Sequence, residues 1–171
     1  MNLKGIFELL GVLREYLFPQ KSLSAKFQNI KNFENLENFI QERSAYVTQS
    51  TLYGYLKTRM GFKHTLMFTD KIFLESVDKS KWHIYSSALS DFTLFTFSYL
   101  IANQNLKIIK AEEIYFSILD SERLNGMPND VILEYKKEFT KRLSQINWLS
   151  YYNQNPFKLS GEALYKWSPI A

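Results

Sequence analysis

Residues 82–102 read WHIYSSALSDFTLFTFSYLIA. Trp82, Ile84, Tyr85, Ala88, Leu89, Phe92, Phe95, Tyr99 and Leu100 recur at helical spacing, and beyond Asp91 the stretch is apolar nearly all round. A helix of that kind has no face to give to water, so it belongs inside a bundle. It predicts an all-α fold: a single-domain bundle of six or seven helices around a central apolar helix at about 80–102. Extended to Leu106, the same stretch is also the chain's nearest approach to a membrane span. Asp91 interrupts it and Ser, Thr, Asn and Gln dilute it. A spanning helix needs about 20 predominantly apolar residues, so a buried helix is the better reading.

On the N-terminal side, Phe33, Leu36, Phe39 and Ile40 open an apolar face that Tyr46, Val47, Leu52, Tyr53 and Leu56 continue. The pattern predicts a long helix from Glu34 to about Met60, packed along the central one and stopped at Gly61. Glycine inside a helix costs about 1 kcal/mol relative to alanine, so Gly54 is expected at a close helix contact. Asp70 is placed to cap a short helix through Val77, with the central helix starting anew at Lys79 or Ser80. On the C-terminal side a helix over Lys110–Leu124 is stopped by Asn125, Gly126 and Pro128. Another follows over Val131–Gln145, capped by Asn129 or Asp130. Trp148, Tyr151, Tyr152, Phe157 and Trp167 make the tail too aromatic to stay disordered, so it should pack back on the body, with a last short turn from Ser160.

Three parts result: residues 1–18, residues 19–32 and a helical domain over 33–171. In the first, Leu3, Ile6, Phe7, Leu10, Leu13 and Leu17 form an amphipathic stripe that ends near Pro19. The second is a connector carrying Lys21, Lys26 and Lys31 with no acid. An apolar face followed by a basic linker suits a partner's groove or an anionic membrane surface. Glu8, Arg14 and Glu15 break the N-terminal apolar stretch, so it does not read as a secretory signal. The chain has no cysteine, which removes disulfides, thiolate metal sites and thiol nucleophiles and fits a reducing compartment. The expected location is cytoplasmic, or peripheral on the inner membrane.

His83, Ser87 and Asp91 stand four apart and so share a helix face. In a catalytic triad the histidine lies between acid and serine. Here serine is in the middle, and His83 and Asp91 are separated by about 12 Å along the axis. No Gly-x-Ser-x-Gly elbow exposes a nucleophile. A buried Asp91 needs a partner, and Arg43, Lys57 or Arg59 on the preceding helix would supply one; otherwise it floors a small pocket near Tyr53 and Gln49. Neither His64 nor His83 has a second ligand at i+3 or i+4, so no metal or cofactor is expected. Lys136, Lys137, Lys141 and Arg142 read as the solvated face of an ordinary helix, which weighs against nucleic acid as a partner.

Ser50–Gly61 (STLYGYLKTRMG) and Ser90–Tyr99 (SDFTLFTFSY) resemble a proteobacterial family of small uncharacterised proteins, some members of which are automatically labelled esterase. The resemblance covers the middle third of the chain, implies a bacterial origin and draws attention to Arg59 and Asp91. Together the residues point first to a non-catalytic helical interaction protein, an adaptor or assembly factor, holding a protein partner or membrane through its N-terminal helix. The alternative is a small hydrolase or ligand-binding enzyme with a polar pocket around Asp91, which would need His83, Ser87 and Asp91 to face one hollow.

Overall fold

The computed structural model describes residues 30–61, 69–107 and 109–169. Within them the chain is all helical, with five α-helices, two short 3-10 turns and no strand. The stripe at 1–18 and the connector up to residue 29 lie outside the described residues.

The first helix, α1, spans Phe33–Met60. Asn32 caps it in extended conformation by accepting the Asn35 N–H at 2.8 Å, while the Lys31 N–H returns a bond to the Asn35 side chain. That satisfies two groups that a helix start otherwise leaves bare. Leu36, Ile40, Ser44, Thr48, Leu52 and Leu56 form its buried stripe. Gly61 closes it at φ 55, a conformation that costs glycine little.

The second helix, α2, runs unbroken over Lys71–Gln104. Two helices were expected here, parting near Val77. The break is absent because no proline or glycine occurs between residues 70 and 104, and Ser80, one of the two expected starting points, donates back to the Ser76 carbonyl at 2.7 Å. Asp70 does cap the helix, accepting the Ile72 and Phe73 N–H groups at 2.9 and 3.2 Å. Asn105 ends it in the left-handed region, and the Leu106 N–H bonds to the Leu100 carbonyl. Every residue from 80 to 91 is buried. Its polar members survive there by bonding their own helix: Ser86 to the Trp82 carbonyl, Ser87 to that of His83, Thr93 to that of Leu89.

Helix α3 covers Ala111–Glu122 and tightens into a 3-10 turn at Arg123–Asn125, closed by Gly126 at φ 92. Helix α4 covers Asn129–Leu143. Pro128 stands at its N-cap, and neither Asn129 nor Asp130 caps it through a side chain as expected. A second 3-10 turn, Tyr151–Asn153, leads to α5 over Lys158–Trp167.

All four other helices and the Tyr151–Asn153 turn contact α2. The described core is continuous, with Trp82, Tyr85, Phe97, Tyr115 and Phe139 its largest enclosed side chains. Each fully buried side chain of this size contributes about 1.5–3 kcal/mol. Tyr115 and Phe139 stack at 3.9 Å and join α3 to α4. The aromatic tail packs back through Ser98, which donates to the Trp148 carbonyl and accepts the Tyr152 N–H. No described helix is long and apolar enough to cross a membrane.

Candidate functional site

Helix α4 lays Ile132, Tyr135 and Phe139 against the core at spacings of three and four. Arg142 is the next position on that stripe, so its side chain turns inward rather than joining the solvated lysines. There it meets Asp91, which is fully buried on α2. The guanidinium Nη2 lies 2.7 Å from Asp91 Oδ1 and donates to the Tyr151 hydroxyl at the same distance. Nη1 donates to Ser90 Oγ. The other carboxylate oxygen accepts the Ser160 N–H at 2.8 Å, at the start of α5. Asp91 thus joins α2, α4 and α5. Burial raises its carboxyl above the usual range, and the Ser160 amide and Arg142 partly reverse the shift.

This corrects the expected partner. Arg43 lies over the Phe39 ring at 5.4 Å, and Arg59 is exposed near the end of α1. Neither they nor Lys57, also exposed, pairs with Asp91, whose carboxylate turns to Arg142 of α4 and the Ser160 amide of α5 instead.

Eight residues upstream, His83 is 4% exposed. Its ring stacks on Trp167 of α5 at 3.5 Å and 2°. Its Nδ1 lies 3.1 Å from the Tyr135 hydroxyl, which itself donates to the His83 carbonyl at 3.2 Å. Burial, then Lys79 and Lys166, push its pKa down to about 4 against the pull of Asp130. Burial also pushes the Tyr135 phenol up to about 12.

The three candidate catalytic residues are therefore not assembled. Ser87 donates to the His83 backbone, not to its ring, at 2.9 Å. Asp91 serves Arg142 and Ser160. The i+4 spacing places the residues on one face, but each finds its nearest partner on its own backbone or on another helix.

Two hollows border these groups. The first, about 490 Å³, lies between α2, α4 and α5, with Ser87, Ser90 and Arg142 among its lining. Glu134, Glu138, Glu162 and Lys166 supply charge around it, and Leu159 and Tyr165 supply exposed apolar surface. The second, about 710 Å³, is lined by His83, Trp82, Asp130 and others from α2 and α4. Glu134 and Trp167 line both. Tyr53 and Gln49, proposed neighbours of an Asp91 pocket, line neither. Among the described residues no three of His, Asp and Glu stand close enough to hold a metal ion.

A further buried acid went unseen in the sequence. Glu122 is fully buried at the end of α3, where Tyr85 and Gln41 donate to Oε1, each at 2.8 Å, and Asn125 donates to Oε2 at 2.6 Å. It ties α1, α2 and α3 together. Its signal was its place on the stripe of Tyr115, Ile118 and Leu119. Of the residues expected to bind a partner through the N-terminal segment, Lys31 is exposed at the start of α1. Leu3, Ile6, Phe7, Leu10, Leu13, Leu17, Lys21 and Lys26 lie outside the described residues. Lys136 does not face free solvent: it pairs with Asp120 at 2.6 Å and lies over Phe116.

No protein-family model, no curated protein and no solved structure matches this chain.

Proposed function

We propose that this chain is a non-catalytic interaction protein, an adaptor or assembly factor, that offers the groove between α2, α4 and α5 to a protein partner. One observation carries the reading. The side chains a hydrolase would use are engaged in structural bonds, whereas the groove rim keeps unengaged apolar surface, with Tyr165 94% exposed and Leu159 40% exposed. A reactive site keeps its nucleophile bonded to its base; an interface needs shape, apolar anchors and a polar rim. In this reading α2 is the hub on which the rim helices are mounted, and the segment 1–31 tethers the protein to its partner or to the inner surface of a bacterial membrane.

The test is a pull-down from soluble and membrane fractions of native cells. It compares the full chain with L159R/Y165R, both checked for folding. Loss of a specific partner in the variant is the expected result. Hydrolysis of short-chain esters by the full chain, abolished by Ser87→Ala, would overturn the proposal.

A further inference from the structure

Six aromatic rings stand in one unbroken series away from the groove. Phe92, Phe95 and Tyr99 follow one face of α2 at spacings of three and four, with ring centres 6.4 and 6.1 Å apart. Phe39 of α1 lies 5.9 Å from Phe92, and Tyr152 meets Tyr99 edge-on at 5.9 Å. Phe157, just before α5, lies 6.0 Å from Phe92 and 5.1 Å from Phe95. Phe39 and Phe92 lean on the core, whereas the other four pack on one another beyond it. None of the six is fully enclosed, and Tyr99 and Phe157 are 43% and 40% exposed. A joined apolar surface of this kind marks a contact.

The point where the chain enters the described structure shows what lies within reach of these rings. Phe39 and Phe92 stand equally far from the link between α1 and α2, so the two helices run antiparallel. Phe33 is then level with Ser98, next to Tyr99, and Ile30, the first described residue, stands three positions before it. Residues 1–29 therefore attach beside the ring series. They include the apolar stripe of Leu3, Ile6, Phe7, Leu10, Leu13 and Leu17. Residues 19–29 span at most about 40 Å when extended, enough to bring that stripe over the rings. A linker this short holds its cargo at an effective concentration on the order of millimolar, so a contact too weak to form between separate molecules forms within one. The rings themselves carry no charge, whereas Glu134, Glu138, Glu162 and Lys166 line the groove. An apolar stripe is better matched by the rings.

We infer that the stripe of residues 1–18 docks on this aromatic face of its own chain and so holds itself back from other surfaces. The segment cannot lie on the rings and on a membrane or partner at once, so tethering bares the aromatic face. The inference does not rest on the groove between α2, α4 and α5.

The test uses the full-length protein. The chain has no cysteine, so Glu8→Cys, beside the stripe, takes a nitroxide spin label at that position alone. In the 15N-labelled chain the label should broaden the amides of Phe92, Phe95, Tyr99, Tyr152 and Phe157. It should spare Lys71–Val77 at the other end of α2, about 30 Å away along the helix. I6D/L10D/L13D should lose this broadening while the amide spectrum of the helical domain is kept. A mixture of spin-labelled unenriched chain and unlabelled 15N chain should show none. The inference is overturned by no broadening at the rings, by broadening centred instead on Glu134 and Glu138, or by broadening unchanged in the triple variant, which a bare tether would give. It is overturned as well by broadening in the mixture, where the stripe of a second copy does the docking, and by a triple variant that unfolds, since a docked segment is not part of the core.

Discussion

Asp91 and His83 sit eight residues apart on α2, and both are reached by α4 and α5. They solve burial in opposite ways. Asp91 is charged, and both its oxygens are taken, one by Arg142 and one by the Ser160 amide. His83 is neutral, braced on one side by Trp167, and only one of its nitrogens is taken. Unscreened charge in a low-dielectric interior is costly, so a buried carboxylate survives only when its valences are filled. A neutral imidazole pays far less for a vacant one. The same helix thus carries a closed seam that fixes where α4 and α5 lie, and a looser one held by a ring stack and a single side-chain contact.

Breaking the closed seam should have the largest effect. Arg142→Leu leaves Asp91 buried without its cation and should cost about 3–5 kcal/mol, read from urea denaturation. Asp91→Leu combined with Arg142→Leu should recover most of that loss, since the unpaired charge is gone. A single-variant loss below about 1 kcal/mol would mean that water reaches Asp91 and the seam is not closed.

Acid separates the two seams by sign. His83 titrates near 4 in the folded state against 6.5 unfolded, so below 6.5 the unfolded chain binds more protons. Its contribution to stability is complete above that value, falls as the pH drops towards 4 and is flat below, with a total of about 3 kcal/mol. Asp91 is raised instead. Its folded state takes up a proton at higher pH than the unfolded chain, so acidification through that interval favours folding. Stability curves of the full chain and His83→Phe between pH 7 and 4 should differ by the slope assigned to His83. Parallel curves would show that the imidazole is not held neutral.

How much of this was legible depends on what a pattern can encode. The long helices were written in their periodicity, and the aromatic tail announced that it packs back on the body. The separation at Val77 was misplaced because the polar run Asp78–Ser80 looks like a boundary in sequence, yet a serine in a helix can satisfy itself on the carbonyl four residues back. Arg142 was assigned to solvent by its charge, although its spacing from Tyr135 and Phe139 placed it on the core face; the chemistry of the side chain masked its phase. Glu122 was hidden in the same way. Gly54 misled in the other direction. Among the described residues a Cβ there would meet nothing within 4 Å, so no close helix contact explains it. Gly54→Ala should therefore stabilise the chain by about 1 kcal/mol through backbone entropy alone, measured as a rise in denaturation midpoint. A loss of stability would restore the close contact.

The smallest change expected is Ser87→Ala, and it bears most directly on the contrast between the seams. Ser87 lies between them, four residues from each. Its hydroxyl donates to the His83 carbonyl at 2.9 Å, where Tyr135 also donates at 3.2 Å. Removing the hydroxyl leaves that oxygen with a donor, and alanine is the better helix former, so stability should stay within about 0.5 kcal/mol of the parent. The histidine tautomer should be unchanged, because Tyr135 rather than Ser87 holds Nδ1. Partner capture by the groove should persist. A nucleophile behaves otherwise: its alanine variant keeps its fold and loses its reaction by several orders of magnitude. Ser87→Ala can therefore be silent in every assay only if the polar residues of α2 act by position rather than by reaction, and that requirement follows directly from a serine whose proton is spent on its own backbone.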